Sequence, residues 1–100
     1  MTVGILKIMY HLPYAQTLKE KRQKLLSIKQ ILRKKFNISI SETGYQDLWQ
    51  KSLIGISMVC DGKNFVDKIF NKIIDEFNRF KFGYIAEFNT EYLNVNEHNY

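Results

Sequence analysis

One cysteine, one proline and five scattered glycines stand in a chain of 100 residues, and each scarcity excludes something. A lone Cys60 in an apolar, strand-like run forms no internal disulfide, has no C-x-x-C partner for redox work, and reads as a small buried hydrophobe in a reducing compartment. The glycines build no phosphate-cradling loop, because Gly62 and Lys63 lack both the upstream glycine and the following Ser or Thr. His11 and His98 fall in no metal-ligand spacing, so neither a metal nor a cofactor is expected. No apolar run approaches the roughly 18 residues of a membrane span, and MTVGILKIMYHL carries no charged leader or cleavage site. These features describe a soluble, unprocessed, cytoplasmic protein with no membrane partner.

No Pro/Gly/Ser-rich break divides the apolar segments, so residues 1–95 read as one domain, followed by a polar tail at 96–100. At this size a chain buries about two-thirds of its unfolded surface, enough for a core without staples.

The charge is present but uneven. The net charge is +5, yet residues 17–36, TLKEKRQKLLSIKQILRKKF, hold eight Lys and Arg against one Glu, and the rest of the chain is slightly acidic. Residues 82–100 contain Glu87, Glu91 and Glu97 and no cation, which gives the domain opposite poles able to steer an anionic partner. Twelve Lys against three Arg, with twelve Ile and eight Asn, is also the usage of an AT-rich coding sequence.

Residues 2–12 are β-branched, aromatic and apolar without helical spacing and end at Pro13, which predicts a central strand. Thr17 stands three residues before Glu20 in a capping-box arrangement, so a helix begins near Leu18. On a helical wheel Leu18, Leu25, Ile28, Leu32 and Phe36 share an arc of about 80° that faces the core. Residues 37–43 alternate Ile38 and Ile40 with Ser39 and Ser41, a half-exposed strand, and T-G-Y-Q-D makes the turn of a hairpin. Residues 48–60 predict a third, central strand. Phe65, Val66, Ile69, Phe70, Ile73, Ile74, Phe77 and Phe80 recur at helical spacing, predicting a second helix over 63–81 with Gly83 at its C-terminal end, and a last strand runs from Tyr84 to about Val95. Strand, helix, strand, strand, helix, strand is the order of the α+β ferredoxin-like βαββαβ sandwich, a four-stranded antiparallel sheet with two helices on one face. That architecture hosts many activities and predicts none by itself.

No catalytic constellation emerges. Asp47, between Gln46 and Gln50, reads as a local cap in a turn, and His11, ahead of L-P-Y, as structural at a strand end. Two surfaces remain. In the first, Lys19, Lys21, Arg22, Lys24, Lys29, Arg33 and Lys34, extended by Lys35, line about 25 Å of helix. Cations in a helix's first turns oppose its macrodipole, and a solvated face ordinarily mixes signs to gain i,i+4 pairs; here Glu20 with Lys24 is the one available pair, so the row suits phosphates. The second surface is the open face of the sheet, where Val3, Ile5, Met9, Trp49 and Leu53 would form either an apolar homodimer interface or an RNA-stacking platform; the RNP-type aromatic motifs are absent, which favours the protein contact.

H-L-P-Y-A-Q-T-L-K-E-K-R at 11–22, F-N-I-S-I-S-E at 36–42 and Q-D-L-W-Q at 46–50 resemble the YlxP-like family of small bacterial proteins, and the resemblance runs from residue 2 to about 95. It implies a ferredoxin-like fold and a gene set among those for translation initiation and ribosome maturation, and it implies no established reaction or catalytic residue. The chain departs from the family at Tyr45. The function expected is that of a non-catalytic cytoplasmic accessory protein of ribosome assembly or translation, with ribosomal RNA or a ribosomal subunit as partner. The alternative is a homodimeric protein-interaction or ligand-sensing module that binds no nucleic acid.

Overall fold

A computed structural model of the chain describes residues 1–96. Six elements follow in the expected order: β1 (Thr2–His11), α1 (Leu18–Lys35), β2 (Ser39–Gly44), β3 (Lys51–Cys60), α2 (Lys63–Arg79) and β4 (Tyr84–Asn94). The strands pair antiparallel in the order β2-β3-β1-β4, so β1 and β3 are central and the arrangement is the α+β ferredoxin-like one. Of the polar tail expected at 96–100, all but Asn96 lies outside the described residues.

The period of two along the central strands decides what the helices cover. In β1, Thr2, Gly4, Leu6, Ile8 and Tyr10 are buried while their neighbours are half-exposed, and β3 repeats this with Ser52, Ile54, Ile56 and Met58. Against that face α1 packs Leu25, Ile28 and Leu32, and α2 packs Val66, Phe70, Ile73 and Phe77. Each such side chain contributes about 1.5–3 kcal/mol on burial, which makes this single layer the main source of stability. Gly4 marks its closest point: a Cβ there would meet Val66 Cγ1 at 2.3 Å, so α2 reaches β1 only because that position has no side chain. Tyr10 packs edge-on against Phe77 at 5.3 Å, and its hydroxyl finds no hydrogen-bond partner among the described residues. Burial pushes the Tyr10 phenol up to about 12.

Local signals set the helix ends. Thr17 Oγ1 accepts the Glu20 N–H at 3.1 Å, and Glu20 Oε2 accepts from the Gln16 N–H at 2.8 Å, one residue earlier than in the usual capping box. α2 stops at Arg79 instead of 81, because Phe80 turns extended and lays its ring against Phe77 and Phe82. Gly83 is not a left-handed helix cap, since no glycine has positive φ. It is required by proximity instead: a Cβ there would stand 1.8 Å from the His11 carbonyl oxygen.

β3 begins at Lys51, three residues later than expected. The Leu48 N–H donates to the Tyr45 carbonyl at 3.0 Å and closes a turn, and the Gln50 carbonyl is taken by the Leu12 N–H at 3.0 Å, so residues 48–50 belong to the loop. Cys60 is half-buried and its thiol donates to the Gly62 carbonyl.

Candidate nucleic-acid interface

α1 divides its cations between two directions. Lys21 is 1% exposed and occupies the middle of the apolar stripe, where its Nζ lies 2.7 Å from Glu42 Oε2 and 2.7 Å from the Tyr45 carbonyl. The same Glu42 oxygen accepts from Ser52 Oγ at 2.7 Å, which closes a buried network between α1 and the β2–β3 hairpin. Lys21 is therefore removed from the expected phosphate-binding set, because its ammonium is consumed inside the fold. At 100° per residue Lys21 falls about 40° from Leu25 and about 20° from Ile28 and Leu32, so the wheel already held the signal. Tyr45, at φ 59, is the one non-glycine residue in the left-handed region among the described residues, and its carbonyl is turned toward Lys21.

The other cations point outward. Lys19, Arg22, Lys29 and Arg33 fall within an arc of about 80° on the outer side of α1, spanning about 21 Å. Lys19, Arg22 and Lys34 are exposed and Lys29 half-exposed, and none of the four enters an ion pair among the described residues. Arg33 donates to the Ile40 carbonyl at 3.1 Å, which lays its guanidinium along the edge strand β2. Two cations turn away from that row, Lys24 toward the loop after α2 and Lys35 toward α2 itself. Lys24 stands over the Phe82 ring at 5.0 Å, so its pairing with Glu20 is not formed, and Lys35 bonds Glu76 Oε2 at 2.9 Å, with Arg79 on the other Glu76 oxygen at 2.7 Å. The Lys35 hydrogen bond holds the Glu76 carboxyl below its ordinary value.

Three loops meet beside the start of α1. Gln50 Nε2 donates to the Pro13 carbonyl at 3.3 Å and the Ala15 carbonyl at 3.0 Å, tying the 45–50 turn to the loop that enters α1. Gly83 presses the entry to β4 against His11, and the His11 ring stacks on Tyr84 at 5.3 Å. A cleft of about 460 Å³ opens here, lined by His11, Asp47, Leu48, Trp49, Gln50 and Lys51. Lys51 Nζ lies over the Tyr45 ring at 4.4 Å. Sequence reasoning took Asp47 and His11 for structural residues and gave Lys51, on the open face, no binding role; its register pairing with His11 brings the two together across the sheet.

On the open face Val3, Ile5 and Met9 from β1 and Leu53 from β3 are half-buried, and Val59 and Leu93 beside Val3 are exposed. Lys7 pairs with Glu91 at 3.7 Å across this face. Trp49 is not part of it. As a loop residue it is half-exposed in the cleft at the strand end, which corrects its placement in the apolar interface. Among the described residues no three His, Cys, Asp or Glu side chains gather as a metal-binding group, and no helix is long and apolar enough to cross a membrane.

This small α+β sandwich, with a cationic helix face and an aromatic loop end, is the class of protein in hand. The chain belongs to the family described as a protein of unknown function (DUF503), whose model matches residues 3–90. It is also similar to the uncharacterized protein YlxP of Bacillus subtilis (strain 168), 42% identical over 60 residues, a match covering 60% of this chain and 65% of that protein's length.

Proposed function

We propose that this protein is a non-catalytic, cytoplasmic RNA-binding accessory protein of ribosome assembly or translation, which docks the outer face of α1 on ribosomal RNA phosphates. The observation that carries this reading is the outer row itself: among the described residues Lys19, Arg22, Lys29 and Lys34 have no acidic partner, and Arg33 is spread along the neighbouring strand edge. Left unpaired, those charges repel one another and oppose the helix dipole at its start, whereas a phosphate backbone relieves both. Contacts of this kind supply affinity and position with little sequence information.

The test is co-sedimentation with small and large ribosomal subunits at low and moderate salt, using a Lys19→Glu/Arg22→Glu variant. Both residues are exposed, so the variant keeps its fold. Binding should weaken steeply with salt, by about 0.7–0.9 in log K per log salt for each phosphate engaged, and the variant should lose it. A flat salt response, or a variant that binds as well as the parent, sinks the proposal.

One observation favours a second reading. Val3, Ile5, Met9 and Leu53, with Val59 and Leu93, form an aliphatic patch on the uncovered sheet face, suited to a second copy of the chain. Light scattering at high concentration addresses it, and a strict monomer removes its support.

A further inference from the structure

We infer that the cleft at the end of the sheet receives a single unpaired nucleobase of the bound RNA, stacked on Trp49, with the attached phosphate taken by Lys51 and His11. This inference rests on the RNA reading above and names which part of an RNA the second contact takes.

The first argument is continuity. Lys21 holds the Tyr45 carbonyl against the first turns of α1, so the 45–50 turn sits beside the end of the helix that carries the exposed Lys19 and Arg22. A strand whose phosphates follow α1 arrives at the cleft.

The second argument is composition. The middle of the open face carries Val3, Ile5, Met9 and Leu53, whereas the cleft end exposes rings: Trp49 at 50% in the cleft wall and Tyr84 at 54%, stacked on the lining His11. Exposed rings beside cations fit stacked bases and their phosphates, because every base has a π-face and every phosphate a charge to neutralise. About 460 Å³ is room for one base, which a paired strand would first have to release from its stack.

The third argument is what each lining group has left to offer. The Gln50 amide is spent on the Pro13 and Ala15 carbonyls, and Lys51, though over Tyr45, keeps its ammonium donors. The Asp47 carboxylate is exposed at the mouth and accepts hydrogen bonds only, so it can take an amino or ring N–H from the edge of a stacked base.

Trp49 is the chain's single tryptophan and reports on the site directly. Titrating the protein with single-stranded oligonucleotides should quench its fluorescence saturably, more strongly with adenine-rich strands, whose bases stack best, than with oligouridine, and hardly at all with blunt duplex. Trp49→Ala should weaken single-strand binding by about 5- to 150-fold in fluorescence anisotropy, the loss of one stacked base, and Trp49→Phe should restore most of it. If Trp49→Ala binds single strands as tightly as the parent while Lys19→Glu/Arg22→Glu does not, the base site is overturned and phosphate docking stands. Equal quenching by duplex also overturns it. If no RNA binds at any salt concentration, both readings fall.

Discussion

The two helices of this protein do the same structural work with opposite manners. α1 and α2 are 18 and 17 residues long and cover the same face of one sheet. Yet α2 mixes four cations with three acids, ties Asp67 to the Tyr92 hydroxyl of β4 and holds Glu76 between two cations, whereas α1 carries eight cations and a single Glu. An AT-rich coding sequence acts on both helices alike, so it does not account for the difference. Covering the sheet does not require it either, since α2 manages without. The excess belongs to the outer side of α1.

The comparison breaks most sharply at Lys21, which shares a helix with the outer row and none of its circumstances. Lys21→Ala leaves the largely enclosed Glu42 carboxylate without its counter-ion, with the Ser52 hydroxyl as its remaining partner, and should cost about 3–5 kcal/mol in urea unfolding, whereas Lys19→Ala should stay within about 0.5 kcal/mol. Equal costs would mean that the inner and outer cations are not distinct classes.

A smaller effect separates the helices by pH. The Lys35 hydrogen bond lowers the Glu76 carboxyl, so the stability from that contact is fully present above pH 4.5 and is lost as the pH falls through the depressed folded value. Glu76→Gln should flatten the acid limb of a melting-temperature profile below pH 4.5 and leave its shape near neutrality unchanged. The smallest effect expected is none at all: Lys68→Glu/Lys72→Glu, two exposed reversals on α2, should leave subunit co-sedimentation intact. If that variant binds as poorly as Lys19→Glu/Arg22→Glu, net charge and not the α1 row drives association.

Much of the fold was legible because its signals are local. The apolar, β-branched runs of β1 and β3, the alternation of β2, the Thr17 cap and the apolar spacing of α2 each specify an element from a few neighbouring residues. The errors have a common physical origin in contacts between distant segments. Trp49 reads as strand until Gln50 is seen to spend its amide on the loop before α1, and Gly83 reads as a helix cap until the His11 carbonyl is seen against it. Lys21 was a different failure. Its position on the wheel is a core position, but a partner 21 residues away, Glu42, has to be known before a buried lysine makes sense. The cleft was legible only in part, because His11 and Lys51 meet through strand register, which no single stretch of sequence encodes.

The Lys21–Glu42–Ser52 network also acts as a checkpoint on assembly. β2 is a short edge strand whose pairing with β3 shifts between Glu42 and Gly44, the kind of strand that slips easily. Sliding β2 by one residue would swing Glu42 to the solvent side and put Ser41 or Thr43 beneath α1, leaving an ammonium sealed in the core with no counter-ion. Every misaligned hairpin is penalised by the helix that must close over it, so the chain carries its own proofreading of strand alignment in a single lysine.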